Sequence, residues 1–193
     1  MKYEILQREV LYQGVFCLVR LHIKHQLFNG EWSGTFTREV LERFTAAAVL
    51  PYDPITKRVI LIEQFRAGAL MDPHGPWQIE IPAGIIDTQE TPLAVAIREA
   101  KEEANCEVRQ LELICDYFVS PGGSNEYIHI YAGTVDAEGI EGIHGLAHEH
   151  EDIRVLNVSI DEALQLLHSG KIKNAPAIIA LQWLALRANS SKL

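Results

Sequence analysis

The chain has 193 residues, of which 48% are hydrophobic, 8% aromatic and 22% charged, a composition typical of a folded globular protein and not of a disordered or fibrous one. Its 17 lysines and arginines against 26 aspartates and glutamates give a formal net charge of −9 with histidine neutral. Because nucleic-acid binding and anionic-membrane binding both need clustered cations, we expect neither kind of partner.

The number and spacing of the cysteines also limit the classes of protein to which the chain can belong. Cys17, Cys106 and Cys115 are odd in number and form no CxxC pair, so they indicate neither a disulfide framework nor a zinc-thiolate site.

The first ten residues interrupt their apolar positions with charges too early for a signal-peptide core, and no run approaches the roughly 18 apolar residues of a membrane span. We therefore expect a soluble protein of the reducing cytoplasm.

Taken in chain order, apolar and alternating runs predict three strands in the first 44 residues, with a tight turn at Asn29-Gly30 before the third. Six further strand-like runs follow. The predicted strand segments are 3–10, 14–28, 35–44, 45–54, 58–66, 77–84, 106–120, 127–135 and 153–158.

Three helices are predicted from their end signals. The first covers residues 91–104 and starts with Thr91 as N-cap and Pro92 at the first helical position. The second starts at the capping box of Ser159 and Glu162 and ends near Gly170. The third covers residues 175–188. The layout is a strand-rich N-terminal piece followed by strands with a few helices packed on them.

The helix over 91–104 places three carboxylates within one turn, because Glu102 and Glu103 lie about 60° and 40° from Glu99 on a helical wheel. The apolar side chains gather on another face and are predicted to be the buried stripe: Leu93, Ile97, Ala100 and Ala104. The clustered carboxylates repel one another, whereas Mg²⁺ prefers a few carboxylate oxygens as ligands. A solvated acidic face, with Arg98 paired to Glu102, is the alternative.

A longer spacing favours the metal hypothesis. The segment resembles the Nudix box, a motif of residues at fixed separations. It contains the motif's glycine, its glutamate, its Arg-Glu pair and its Glu-Glu pair. The matching residues are Gly84, Glu90, Arg98, Glu99, Glu102 and Glu103. Two positions depart from the box: Asn105 replaces its last glycine, and Cys106 replaces its last aliphatic residue. Since asparagine is the next best residue for a left-handed helix end, we expect the loop–helix–loop shape to persist.

The resemblance implies a Nudix hydrolase: an α/β fold with an α/β/α sandwich and a mixed sheet over residues 44–193, preceded by an N-terminal antiparallel β-strand domain over residues 1–43. By analogy with the family, Mg²⁺, with Mn²⁺ as a substitute, is held by Glu99, Glu103 and the carbonyl of Ala83, with Glu102 acting through water. Gly84, Glu90 and Arg98 take structural roles in the motif, the last two as an ion pair that braces the loop.

Beyond the box, the chain is similar to the bacterial ADP-ribose pyrophosphatases over nearly its entire length, in segments such as 50–54, 59–66, 120–126 and 142–155. The resemblance implies hydrolysis of ADP-ribose to AMP and ribose 5-phosphate by a homodimer in which the N-terminal strands contact the partner. Two alternatives stay open. One is the same chemistry on another nucleotide sugar, GDP-mannose or ADP-glucose, and the other is a non-catalytic ADP-ribose sensor.

The loop over 142–152 is the second acidic segment. Residues 84–103 carry −3 and residues 136–152 carry −6, so the two segments together account for the whole net charge. In the family that the chain resembles, this loop carries the catalytic base, matched by Glu149, and a further metal ligand, matched by Glu151. The alternatives are a solvated acidic loop and a zinc site formed by the loop's histidines, His144, His148 and His150.

The resemblance also implies a set of substrate contacts. Arg66 matches an arginine that reaches the phosphates, Glu126 a contact on the terminal-ribose side, and Phe16 an aromatic residue that stacks on adenine. The remaining matches are Arg38, Glu39 and Arg43 near the dimer-related nucleotide site, with Ser120 and the backbone around Ile85 lining the pocket. Val15 stands where the family often shows a second aromatic residue, so the stacking on adenine is expected to be altered.

Overall fold

A computed structural model describes residues 1–87 and 89–190 of the protein. The strands are β1 (Tyr3–Gln13), β2 (Cys17–His25), β3 (Phe36–Glu42), β4 (Ala46–Asp53), β5 (Arg58–Phe65), β6 (Trp77–Glu80), β7 (Ala83–Ile85), β8 (Arg109–Phe118), β9 (Tyr127–Thr134), β10 (Ile143–His144) and β11 (Ile153–Ser159). The helices are α1 (Pro92–Ala104), α2 (Ile160–His168) and α3 (Ala175–Ser190), with single 3₁₀ turns at Ala67–Ala69 and Ala147–Glu149. All nine predicted strand segments and all three predicted helices are present.

The chain divides into two compact units, residues 1–45 with 117–127 and residues 46–116 with 128–193. The first unit contains an antiparallel sheet in the order β1-β2-β3. Its register runs from the pair Tyr3 and His25 to the pair Gln13 and Cys17 between β1 and β2. The backbone N–H of Leu41, in β3, donates to the carbonyl of Gly123 at 2.9 Å, which ties the 117–127 segment to this sheet.

The second unit is built on a mixed sheet in the order β10-β11-β5-β4-β9-β8, with β6 added to β5 and β7 added to β4. Strands β4 and β9 are parallel, and β4 is antiparallel to β5 and to β7. The mixed pairing and the helices on the sheet confirm the predicted α/β sandwich. Within the described residues, no helix combines the length and the apolarity that a membrane crossing requires.

Helix α1 covers one face of this sheet. Its small buried residues pack with alternate residues of the central strands, in a core that includes Ala47, Val49, Ile60, Ile62 and Ile153. Since side chains alternate along a strand, the intervening residues of β4 and β5 face the opposite side, where α2 packs against β5 and β11 and α3 against β4. The fold therefore fixes α1 firmly against β4, β5 and β7, whose ends supply the site.

Candidate active site

The ends of α1 are set by local sequence. The hydroxyl of Thr91 accepts a hydrogen bond from the backbone N–H of Ala94 at 3.2 Å, and Pro92 opens the helix. Asn105 follows the last turn in the left-handed conformation, at φ 50° and ψ 29°, and its N–H donates to the carbonyl of Lys101 at 3.0 Å. The prediction that asparagine serves as the helix end in place of glycine is confirmed.

The buried face of α1 differs from the predicted stripe. Leu93 and Ile97 are 42% and 43% exposed, so that part of the prediction was wrong. The buried residues of the helix are Val95, Ala96, Ala100, Glu103 and Ala104. The sheet contacts an arc of the helix that includes the glutamate side, and Glu103 is only 2% exposed. Of the three carboxylates, Glu103 therefore lies between the helix and the sheet, while the side chains of Glu99 and Glu102 stay 12% and 30% exposed.

Gly84 makes room for the first of these carboxylates. A Cβ at this position would lie 1.6 Å from Oε1 of Glu99 and 2.1 Å from its Cδ. Gly84 lies in the short strand β7, where it pairs with Ala47 of β4, so the close approach of Glu99, and not a turn, requires the glycine.

Arg98 holds the loop before the helix and two of the box glutamates. Its Nε and one Nη donate to the two oxygens of Glu90, at 3.0 and 3.2 Å. Its other Nη donates to Glu99 and to Glu102, at 2.8 Å each. Hydrogen bonds with Glu90 are the main reason that the pKa of Arg98 is raised above its ordinary value. One guanidinium thus balances three neighbouring carboxylates.

Glu103 is the most deeply buried acid of the helix. Its Oε2 accepts a hydrogen bond from the backbone N–H of Ala83 at 2.8 Å. Burial raises its pKa to about 8, opposed by that hydrogen bond and reinforced by the charges of Glu99 and Glu151. Burial likewise raises the pKa of Glu99, against the opposing effect of Arg98. Burial and mutual repulsion disfavour the ionised form of these carboxylates, and a bound cation would favour it.

A second arginine approaches the same carboxylates from β5. Arg66 follows this strand, and its Nε and one Nη donate to the two oxygens of Glu80, at 3.1 and 2.8 Å. Burial alone would lower the pKa of Arg66, but hydrogen bonding to Glu80 and the charges of Glu103 and Glu151 raise it. The remaining guanidinium edge is available for an anion such as a phosphate.

The 142–152 loop brings Glu151 to this group but not Glu149. The N–H of Leu146 donates to Oε2 of Glu151 at 3.1 Å, and the charge of Glu151 acts on Glu99 and Glu103. The side chain of Glu149 is 55% exposed and lies 3.5 Å from the ring of its neighbour His148. In this conformation Glu149 is outside the acidic cluster.

Carboxylate oxygens are suitable ligands for a hard divalent cation, although some of these oxygens accept hydrogen bonds from the protein in this structure. Among the described residues, no three His, Cys, Asp or Glu side chains are already arranged around one metal position. One oxygen of Glu99 accepts a hydrogen bond from Arg98, and one oxygen of Glu103 accepts a hydrogen bond from the amide of Ala83. Clustered carboxylate oxygens are the ligands that Mg²⁺ prefers, and the loop histidines add no converging zinc set within the described chain.

Three predicted substrate contacts lie together in the first unit. The guanidinium carbon of Arg43 is 4.5 Å from the centre of the Phe16 ring, and one Nη of Arg43 is 3.1 Å from Oε2 of Glu126. The backbone N–H of Arg43 also donates to Asn125 Oδ1 at 2.7 Å. Val15, beside Phe16, is exposed. An aromatic ring, a cation and a carboxylate from three segments therefore form one group.

The other predicted contacts have neighbours of their own. Arg38 stacks over Phe36, and Glu39 accepts from Arg20 at 2.9 Å. The carbonyl of Ser120 accepts from the N–H groups of Gly123 and Ser124 in a tight turn. Ile85, in the second unit, is exposed at the end of β7.

Sequence reasoning missed two polar residues of the second unit. Glu80, in β6, is 4% exposed and holds Arg66. Gln64, in β5, is 5% exposed, and its Nε2 has no hydrogen-bond partner among the described residues. The available signal was that both interrupt otherwise apolar strands.

Comparisons with known proteins identify the family of the chain. A model of the NUDIX domain matches residues 42–181. The chain is 47% identical over 186 residues to an ADP-ribose pyrophosphatase of Haemophilus influenzae, covering 95% of this chain and 86% of that protein. It is 46% identical to an ADP-ribose pyrophosphatase of Escherichia coli K12, with 98% and 90% covered.

More distant proteins match at similar coverage. A GDP-mannose pyrophosphatase of Cronobacter sakazakii is 33% identical, with 95% of both chains covered. A solved structure described as an ADP compounds hydrolase superimposes with a TM-score of 0.73 at 19% identity, over 99% of this chain and 96% of that one, which shows the shared fold. The domain match and the chain-long identity together establish that the chain belongs to the Nudix family.

Proposed function

We propose that the protein hydrolyses the pyrophosphate bond of ADP-ribose, with Mg²⁺, to give AMP and ribose 5-phosphate. The observation that carries the proposal is the carboxylate group that the buried Glu103 forms with Glu99 and Glu151, beside Arg66. Its support comes from relatives named ADP-ribose pyrophosphatases that are 46–47% identical over 95–98% of the chain.

Each residue of the group has a defined task in this proposal. Glu99, Glu103, Glu151 and the carbonyl of Ala83 hold the metal, with Glu102 bound through water. When bound, Mg²⁺, or Mn²⁺ in its place, neutralises the pyrophosphate and lowers the pKa of a water molecule. Arg66 donates to a phosphate oxygen while Glu80 fixes two of its donors.

Glu149 is proposed as the base that accepts a proton from the attacking water. Its exposure and its place in a 3₁₀ turn at Ala147–Glu149 suit a group that enters the site by loop movement and leaves again for product release. Glu99 and Glu102, by contrast, lie on α1 and accept hydrogen bonds from Arg98.

The nucleotide-sugar contacts complete the proposal. Phe16 and Arg43 present a ring and a guanidinium suited to stacking on adenine, and Glu126 presents a carboxylate suited to a ribose hydroxyl. The further proposed contacts are Arg38, Glu39, Ser120 and the backbone at Ile85.

We propose further that the protein is a cytoplasmic homodimer. Strand β1 exposes several large apolar side chains along one sheet edge: Tyr3, Ile5, Leu6, Val10 and Tyr12. A partner surface that covers such an edge removes both apolar area and unpaired backbone groups from water. The three cysteines are free thiols, as suits a reducing compartment. The molar mass in solution, measured by light scattering, tests the dimer.

One experiment tests the reaction itself. ADP-ribose is hydrolysed with Mg²⁺ in H₂¹⁸O, and the products are identified by mass spectrometry, with a chelator as the metal-free control. We expect AMP and ribose 5-phosphate only with metal, and the labelled product identifies the phosphorus that is attacked. Binding without turnover would indicate a sensor instead.

A second substrate is supported by the GDP-mannose pyrophosphatase relatives at 33% identity. The same assay with GDP-mannose and ADP-glucose separates the candidates, because the metal site is shared and the base contacts are not. A kcat/KM for GDP-mannose above that for ADP-ribose would reassign the substrate.

A further inference from the structure

Gln64 is a buried polar group that the proposed reaction does not use. It lies in β5, is 5% exposed, and its Nε2 has no hydrogen-bond partner among the described residues. An unpaired buried amide donor costs free energy, since it has left water without a replacement bond. Such a group in a folded protein calls for an explanation, and a bond formed in another state of the molecule is one.

Strand alternation fixes which face of the sheet carries Gln64. Ile60 and Ile62 belong to the core beneath α1, so Gln64, two residues further on, lies on the same face. Arg66 continues this row and donates to Glu80 at the edge of the proposed site. Gln64 therefore lies between the apolar core and the residues that surround the acidic cluster.

The end of β11 and the charge of Glu151 both lead to the Arg66 end of β5. Arg154 is opposite Glu63 in the last antiparallel pair, and Glu151 lies two residues before Ile153, the first residue of β11. The charge of Glu151 does act on Arg66. Gln64, two residues before Arg66, and Glu151, whose charge acts on Arg66, are therefore both neighbours of this arginine.

We propose that Gln64 is a positioning residue for Glu151: its Nε2 donates to the carboxylate of Glu151 when that carboxylate binds the metal. The inference rests on the proposed function, which makes Glu151 a metal ligand. In the present conformation the N–H of Leu146 donates to Oε2 of Glu151 at 3.1 Å. A carboxylate has room for a metal and two such donors, and ligating carboxylates are commonly oriented by a second hydrogen-bonding group.

The test is the substitution Gln64→Leu, followed by two separate measurements: the melting temperature without metal and the affinity for Mn²⁺. Without metal, in the presence of a chelator, the melting temperature is expected to stay the same or rise, because the unpaired donor is gone. The affinity for Mn²⁺ alone, measured by electron paramagnetic resonance without substrate, is expected to fall about 10- to 100-fold. A residue that only fills the core would lower the metal-free melting temperature and leave the affinity unchanged.

Gln78 supplies a matched control. It is opposite Gln64 on β6, but its Nε2 already donates to the carbonyl of Gly75, at 3.3 Å. Gln78→Leu is therefore expected to lower the metal-free melting temperature and to leave the Mn²⁺ affinity near its original value.

A double substitution tests the route through Glu151. In a Glu151→Gln background, Gln64→Leu should have no further effect on Mn²⁺ affinity. A lower metal-free melting temperature, an unchanged affinity, or an additive effect in the double variant would each overturn the proposal. Failure of the proposed function has a different signature, since the unsubstituted protein would then bind Mn²⁺ without hydrolysing ADP-ribose.

Discussion

Replacing Gly84 by alanine tests whether the position of Glu99 governs activity. The added Cβ would lie 1.6 Å from Oε1 of Glu99 and 2.7 Å from its Cγ. Nonbonded heavy atoms pack at about 3.5 Å, so the oxygen must move by about 2 Å. Gly84 lies in strand β7, where the extended backbone is also accessible to alanine. The change by itself would therefore stabilise the fold by about 0.4–1 kcal/mol, because alanine lowers the conformational entropy of the unfolded chain.

The displacement is large on the scale that matters for metal ligands. Ligand distances are held to within about 0.2 Å in working sites, roughly a tenth of the movement that the alanine forces. A misplacement of about 1 Å in an active site can cost about 100-fold in rate. We therefore expect Gly84→Ala to lower kcat/KM for ADP-ribose by at least about 100-fold, or about 2.7 kcal/mol of transition-state stabilisation.

The assay is steady-state hydrolysis of ADP-ribose across a Mg²⁺ titration, together with a thermal melt of each variant. Gly34→Ala is the matched control, because nothing lies within 4 Å of a Cβ at that glycine. A Gly84→Ala protein that melts normally and keeps kcat/KM within a few-fold of the original would refute the argument that Glu99 must lie against residue 84.

Three further predictions address the base, the buried acid and a structural turn. Glu149→Gln should lower kcat for ADP-ribose by at least about 100-fold with a smaller change in KM, while Glu138→Gln, in the same acidic segment, should not; a rate within a few-fold of the original would remove Glu149 from the role. Since the folded-state pKa of Glu103 is raised to about 8, its contribution to metal-free stability should be fully present below about pH 4.5 and should be lost as the pH rises through about 8. Glu103→Gln should remove that decline in denaturant titrations with a chelator, and an unchanged profile would contradict the burial argument. The hydroxyl of Thr56, 2.7 Å from Asp53, is the main cause that lowers the pKa of Asp53 to about 2. Asp53→Asn should therefore cost about 2 kcal/mol at neutral pH, and the cost should shrink as the pH falls from about 4 toward 2; a cost that does not change with pH would speak against this assignment.

Local signals in the sequence were sufficient for the helix that carries the box. Thr91 and Pro92 mark its start and Asn105 its end, and each acts through bonds to neighbouring backbone groups. Such contacts span only a few residues, so they can be predicted without knowing the rest of the fold. The spacing of the box residues likewise indicates the family without any information on the tertiary structure.

The orientation of α1 on the sheet could not be predicted in the same way. A helical wheel gives the angles between side chains, but the buried arc depends on where the sheet lies. Two of the four residues expected in the buried stripe, Leu93 and Ile97, are exposed, and Glu103 is buried in their place. The deep burial of Glu103, which raises its pKa, is therefore a tertiary property of the fold.

The sequence by itself determined the helix ends, the strand segments, the concentration of negative charge in two segments, and the identity of the box glutamates. Tertiary structure alone decided that Arg66, from a strand distant in sequence, lies near Glu103 and Glu151, and that Nε2 of the buried Gln64 has no hydrogen-bond partner among the described residues. The physical reason is the separation in sequence between the residues that set each property. Caps and periodicity depend on neighbours within a few residues, whereas burial, pKa and the pairing of buried polar groups depend on which distant segments the fold brings together.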